Sequence, residues 1–197
     1  MKLVIASSNA GKLAELHALL VESGIELLTQ GSLGIEDAEE TGATFVENAL
    51  LKARKAARES GLPALGDDSG LCVDALNGAP GLYSARYAGA HGDAEANIDK
   101  LLRQMDGLHD AERGARFHCV LVVLRHADDP QPIIAEGSWH GRILAARRGT
   151  GGFGYDPVFL DVKHRQTAAE MEVALKNRIS HRGQALEALK AAFARTR

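Results

Sequence analysis

The chain has 197 residues, 23 Lys and Arg against 26 Asp and Glu for a net charge of −3, and is 45% hydrophobic and 25% charged. That balance excludes a disordered, collagen-like or coiled-coil chain, and no apolar run approaches the ~20 residues that span a bilayer. A mildly acidic chain also lacks the basic footprint that nucleic acid demands, so neither a membrane nor a nucleic-acid partner is expected.

The length predicts one domain over residues 1–197, with room for two lobes, burying roughly 70% of its unfolded surface. The opening run Lys2-Leu3-Val4-Ile5-Ala6 reads as a strand. It is too short for a secretory apolar core, which predicts a cytoplasmic location. A polar loop from Ser7 to Gly11 leads into a helix whose Leu13, Leu16, Leu20 and Val21 share a stripe, with Gly24 as its stop. Ile25 to Leu28 reads as a second strand, followed by an acidic stretch, Glu36 to Gly42. Thr44-Phe45-Val46-Glu47 is a capping-box signature opening a helix that runs to Gly61.

Beyond Pro63 the chain reads Ala64-Leu65-Gly66, an acidic turn at a strand end from Asp67 to Gly70, and apolar Leu71-Cys72-Val73. Asp93 is placed to cap a helix that aligns Ile98, Leu101, Leu102 and Met105. Phe117 to Leu124 predicts a strand buried on both faces, and Ile133 to Ile143 one or two more strands. A Gly-rich loop, Gly149 to Asp156, precedes Val158-Phe159-Leu160. Helices are predicted over Thr167–Lys176, where Thr167 and Glu170 repeat the capping spacing, and over Ser180–Arg195. Cys72 and Cys119 lack CxxC spacing and read as buried thiols. Alternating strands and helices indicate an α/β fold.

Four segments could carry chemistry. Ser7-Ser8-Asn9-Ala10-Gly11-Lys12 spans a strand-to-helix junction, where backbone amides and the positive helix end suit an anion. It is not a Walker loop, since Ala6 and Leu13 break that pattern, and it also reads as a solvated turn with a surface lysine. The acidic clusters Asp37/Glu39/Glu40 and Asp67/Asp68 are costly to hold together without a cation or proton. Their all-oxygen chemistry suits Mg²⁺ carried on a nucleotide, and the alternative is a charged turn. Gly149 to Asp156 contains GxGxxG literally but lacks the strand before it and the helix after it that a dinucleotide fingerprint needs. What remains is a loop that can approach a ligand closely, or a hairpin with Phe153 in the core. Finally, His181 and Arg182 follow Ser180 in the first turn of a helix, where cations oppose the macrodipole. A partner carboxylate or a ligand would explain them.

Taken in order, these blocks resemble the inosine triphosphate pyrophosphatase family. The likeness rests on Ser7–Lys12, on Phe45-Val46-Glu47-Asn48-Ala49 with Lys52, and on Asp67-Asp68-Ser69-Gly70-Leu71. It continues through Gly78-Ala79-Pro80-Gly81, Tyr83-Ser84-Ala85-Arg86-Tyr87, Gly151–Asp156 and Ser180-His181-Arg182, and so covers essentially the whole chain. Ser7 stands where the family commonly has Thr, which keeps the hydroxyl.

The resemblance implies an elongated mixed sheet flanked by helices, in two lobes with the active-site cleft between them. It implies a homodimer that needs Mg²⁺ and converts ITP, dITP or XTP to the monophosphate and pyrophosphate. By the family pattern Ser7, Ser8, Asn9, Ala10, Gly11 and Lys12, with Lys52, hold the triphosphate. Asp68 acts on the attacking water, and Glu39 and Asp68 lie near the metal, with Glu40 left open as the alternative to Glu39. Ser69, Phe153, Gly154, Tyr155, Asp156, Lys176, His181 and Arg182 contact the substrate, with Arg86 as an addition. Arg182, a donor-only side chain, is the candidate for rejecting the 2-amino group of guanine. The rival reading is a nucleotide-binding sensor, which would need no Asp68 and Glu39 acting together.

Overall fold

A computed structural model describes residues 2–20 and 24–195. In chain order these form β1 (Lys2–Ala6), α1 (Ala10–Leu20), β2 (Glu26–Thr29), α2 (Phe45–Ser60), β3 (Ala64–Val73) and α3 (Ala94–Gln104). There follow β4 (Gly114–Leu124), β5 (Ile133–Ile143), β6 (Phe159–Asp161), β7 (Gln166–Thr167), α4 (Val173–Ile179) and α5 (His181–Arg195). The strands lie in one sheet of order β2-β1-β3-β4-β5-β6-β7. β1 runs parallel to β2 and β3, whereas β6 is antiparallel to β5 and β7, so the sheet is mixed as expected. Val21, expected on the apolar stripe of α1, lies outside the described residues. Among the described residues no helix is long and apolar enough to cross a membrane.

The chain divides into two compact units, one of Met1–Asp68, Cys119–Gly137 and His181–Arg197, the other of Ser69–His118 and Ser138–Ser180. In the first unit the period of two along each strand sorts side chains onto opposite faces. Leu3, Ile5, Leu65, Cys119, Leu121 and Val123 pack with Leu16 and Leu20 of α1 and with Ala185, Leu186 and Leu189 of α5. Their neighbours Val4, Ala6 and Ala64 pack with Ala56 and Ala57 of α2. Val120, Val122 and Leu124 do the same with Ala49 and Ala53.

The start of α2 follows its sequence signal. The Thr44 hydroxyl accepts from the Glu47 amide at 3.3 Å, and the Glu47 carboxylate accepts from the Ala43 amide at 2.8 Å. Gly61, at φ +66°, ends the helix. Its buried alanine stripe lets α2 settle directly onto β3, where Gly66 has no side chain to hold it off. A Cβ at Gly66 would lie 2.1 Å from the Ala49 carbonyl oxygen.

In the second unit Asp93 caps α3 by accepting from the Ala96 amide at 3.0 Å. Ile98, Leu101 and Met105 then join Leu71, Val73, Phe117, Trp139, Tyr155 and Phe159 in one core. The Phe117 and Phe159 rings are 4.5 Å apart between centroids. Arg113 is buried there with its guanidinium donating to the carbonyls of Ile143, Met105 and Leu144.

Two expectations are corrected. Asp67 to Gly70 is not a turn at a strand end but the middle of the ten-residue β3; side-chain cations supply the compensation that the sequence window hides. The helix expected over Thr167–Lys176 begins only at Val173. Glu170 does accept from the Thr167 amide, at 2.8 Å, but the Thr167 hydroxyl donates to the Arg148 carbonyl at 2.7 Å. Half of the box is thus diverted, and Thr167 ends β7 instead.

Gly66→Ala forces α2 off the sheet. We expect a loss of about 1–3 kcal/mol, the usual range for overpacking, read by urea denaturation. A change below about 0.5 kcal/mol, the scatter of neutral surface changes, would show that the helix can yield freely.

Candidate active site

The loop between β1 and α1 is organised by its own polar side chains. Asn9 Oδ1 accepts from the Lys12 amide at 3.0 Å and caps the helix, while Ser7 Oγ accepts from the Asn9 amide at 3.2 Å. Ser8 Oγ donates to Asp37 at 2.5 Å, and Gln30 donates to the other oxygen of the same carboxylate. These hydroxyl and amide groups therefore shape the loop at the start of α1. Asp37, weighed from sequence as part of a charged turn, anchors that loop.

Strand alternation separates the two neighbouring carboxylates of β3. Asp67 has the parity of Leu65 and faces α1 and α5; Asp68 has the parity of Ala64 and faces α2. Asp67 receives Arg182 Nε at 2.7 Å, Lys12 Nζ at 2.8 Å and the Cys119 thiol at 3.7 Å. Arg182, 1% exposed, also pairs through Nη1 with Glu15. Burial alone would raise the Asp67 pKa, but attraction by Arg182 and then Lys12 overrides it and holds the carboxyl well below its ordinary 3.8. Burial, then the Asp67 charge, push the Cys119 thiol well above its usual value. Gly137 on β5 lets the first turn of α5 approach, since a Cβ there would lie 2.1 Å from the His181 carbonyl oxygen.

On the other face Asp68 Oδ1 accepts from Lys52 Nζ at 2.7 Å, and Oδ2 from Asn48 Nδ2 at 3.4 Å. Lys52 Nζ also meets Glu40 Oε1 at 2.7 Å and the Asp67 carbonyl at 3.3 Å. Burial would lower the Lys52 pKa, but Asp68 and Glu40 raise it above its ordinary value, so it stays an ammonium ion. For Asp68 burial prevails: Lys52 and Lys12 pull its pKa down, yet it remains raised. Such a carboxylate holds a proton more readily than an ordinary aspartate.

The second unit holds its own polar cluster. Asp156, 4% exposed, accepts from Lys176 Nζ at 2.7 Å and from the Phe153 amide at 2.8 Å. The Lys176 ammonium stands 5.0 Å from the Phe153 ring centroid, a cation–π distance. Tyr155 is a core residue whose hydroxyl donates to the Ser84 carbonyl at 2.9 Å. Arg86 lies over the Tyr83 ring at 5.3 Å. His118 Nδ1 and Ser138 Oγ are 2.9 Å apart, a Ser–His contact that nothing in the sequence signalled.

Of the expected residues, Lys12, Lys52, Asp68 and Arg182 come together in the first unit around β3, and His181 is buried beside Arg182 in the opening turn of α5. Phe153, Gly154, Tyr155, Asp156 and Lys176 gather in the second unit, where half-buried Ser69 follows Asp68 along β3. Glu39 is exposed, and Glu40 is the acidic residue that reaches Lys52. Sequence reasoning missed Asp67 as the counterion of two cations, Glu15 as partner of Arg182, and Asn48 beside Asp68. Helical spacing could have found two of them: Asn48 and Lys52 are four residues apart and Lys12 and Glu15 three, each pair on one face.

Residues 3–192 match the Ham1 family. The chain is 63% identical over 187 residues to the dITP/XTP pyrophosphatase of Xanthomonas campestris pv. campestris (strain 8004), covering 95% of this chain and 94% of that one. The solved structure of a HAM1 protein from Coxiella burnetii superposes with a TM-score of 0.91 at 48% identity over 99% of both chains. The nucleoside-triphosphatase / dITP/XTP pyrophosphatase from Mycobacterium abscessus gives 0.76 at 43% identity, covering 96% of this chain and 97% of that one. This chain belongs to the Ham1 family.

Asp67→Asn leaves Arg182 buried against a neutral amide. At pH 7 we expect a loss of about 3–5 kcal/mol, the cost of breaking a buried ion pair. Because the folded-state pKa is depressed, this stabilisation is complete above about 3.8 and is lost as pH falls through the folded value. The gap between wild type and variant in chemical denaturation should therefore narrow from pH 5 toward pH 3. A gap independent of pH would mean that the charge of Asp67 contributes nothing.

Proposed function

We propose that the chain hydrolyses non-canonical purine nucleoside triphosphates, ITP, dITP and XTP, to the monophosphate and pyrophosphate. Family membership and the name carried by a near-full-length relative support this reading. The observation that carries it is local: Asp68, a buried carboxylate with a raised pKa, stands beside Lys52 on a strand whose opposite face grips Lys12.

The polyphosphate is taken by backbone amides of the Ser7–Lys12 loop and by the Lys12 and Lys52 ammonium groups. Asp68 orients a water and accepts its proton as the water oxygen bonds to the α-phosphorus. The bond from that phosphorus to the bridging oxygen breaks, and pyrophosphate leaves. No side chain becomes covalently attached. Carboxylate oxygens of Glu40 and Asp68 around a cation are the donor type that hard divalent ions take, which fits Mg²⁺. Glu40 and Asp68 would hold it, Glu40 filling the role left open between it and Glu39, and the ion would offset charge on the phosphates and the leaving pyrophosphate.

The base falls to Ser69, Phe153 to Asp156, Lys176, His181 and Arg182, with Arg86 as a further contact. Lys176 and Arg182 are donor-only groups. They suit the oxo acceptors of hypoxanthine and xanthine and would oppose the amino groups of adenine and guanine. Residues 1–197 would act as one catalytic domain, cytoplasmic and homodimeric, as the family resemblance implies.

The decisive assay is pyrophosphate release from dITP, ITP and XTP against dATP, dGTP and dTTP, with Mg²⁺. The first three should be turned over preferentially; equal rates on all six, or release of orthophosphate alone, would contradict the proposal. Asp68→Asn should lower kcat by ~10²–10⁴, the usual share of general-base catalysis, and retention of half the wild-type rate would remove Asp68 from that role. The base must be ionised to act, so kcat/KM should fall on the acid side with an apparent pKa above the ordinary 3.8 of an aspartate.

A further inference from the structure

We infer that Lys52 is the resident cation of the Glu40–Asp68 seat, and that the seat opens to a divalent metal only when a bound polyphosphate draws the lysine away. This rests on the function proposed above and adds an order to it. The Lys52 ammonium has three N–H donors, and three oxygens meet it: Glu40 Oε1 and Asp68 Oδ1 at 2.7 Å, and the Asp67 carbonyl at 3.3 Å. An ammonium satisfied in this way stands where a hard cation would be coordinated.

Two like-charged ions cannot share that seat. With Lys52 in place the two carboxylates and one ammonium leave a single net negative charge, a weak attraction for a dehydration-resistant ion. Electrostatic repulsion between Lys52 and an arriving dication a few ångströms away opposes binding further. A triphosphate changes this balance. Its oxygens compete for the ammonium, and Lys52 is carried on the same helix face as Asn48, which stays to orient Asp68 through Oδ2. Once Lys52 turns to phosphate, both carboxylates lose their counterion and a dication becomes the favoured replacement. Metal and nucleotide therefore bind with positive coupling, which must be reciprocal. In the nucleotide-free protein Lys52 preserves the site without recruiting metal. The raised Lys52 pKa agrees with an ammonium held by two anions.

The test uses Mn²⁺ alone, with no nucleotide, and reads bound metal by electron paramagnetic resonance and by the metal-induced shift in Tm. Wild type should bind Mn²⁺ poorly. Lys52→Met, which keeps most of the unbranched side chain but removes the charge, should bind it at least about tenfold more tightly and gain Tm on adding Mn²⁺. Lys52→Arg, which retains a cation, should stay within about threefold of wild type. The inference is overturned if Lys52→Met binds Mn²⁺ no better than wild type. It is equally overturned, with no variant needed, if wild type alone binds Mn²⁺ with Kd below about 10 µM, an affinity typical of preformed cation sites. Neither outcome touches the proposed activity, which stands or falls on pyrophosphate release.

Discussion

Asp67 has no access to water, and its charge is tolerable only because Arg182 Nε and Lys12 Nζ approach its oxygens at 2.7 and 2.8 Å. Removing an unpaired carboxylate from water costs several kcal/mol even after relaxation, so these contacts constrain everything attached to them. Lys12 fixes the start of α1, Arg182 the start of α5, and Asp67 itself the centre of β3. Glu15 closes the network from α1 onto Arg182. Arg182 thus sits in a first helical turn, where the macrodipole disfavours cations, because two carboxylates outweigh that field. The Lys12 ammonium is thus positioned by a buried carboxylate from the centre of the sheet.

Strand geometry then explains how two adjacent acids can differ. Side chains at neighbouring strand positions leave on opposite faces, so Asp67 and Asp68 share a peptide bond but not an environment. Asp67 sees two cations and full burial, and its pKa falls; Asp68 sees burial that Lys52 only partly offsets, and its pKa rises. Groups whose environments push their proton affinities apart are characteristic of catalytic sites. Within the first unit the apolar residues of β1, β3 and β4 follow the same alternation, so the division of labour between the acids is inherited from the packing of the sheet.

Much of this was legible in the sequence where the physics is local. The capping signals at Thr44 and Asp93, the buried run of β4 and the strand-to-helix junction at Ser7–Lys12 are set by a few consecutive residues. The family likeness brought out the same candidate residues. What the sequence hid depends on distant partners. Nothing near Asp67 announces Lys12, 55 positions earlier, or Arg182, 115 later, so an acidic pair inside a strand looked like a turn. The Thr167–Glu170 spacing misled for the same reason, because the Arg148 carbonyl claims the hydroxyl that a helix would have used. Glu39 and Glu40 are indistinguishable by composition, and only the path of the chain before α2 brings Glu40 to Lys52.

The charge of Asp67 stabilises the fold, whereas that of Asp68 is costly to it. Equilibrium urea denaturation of Asp68→Asn at pH 7 tests that division most directly. A carboxyl whose folded-state pKa is raised loses stability as pH climbs through its unfolded value, so at neutral pH its ionised form works against folding. Replacing it with a neutral amide of the same shape should leave the protein as stable as wild type or more so, within about 0.5 kcal/mol on the low side. A loss of more than about 1 kcal/mol, the range of a structural hydrogen bond or ion pair, would contradict the account, because Asp68 would then be holding the fold together as Asp67 does.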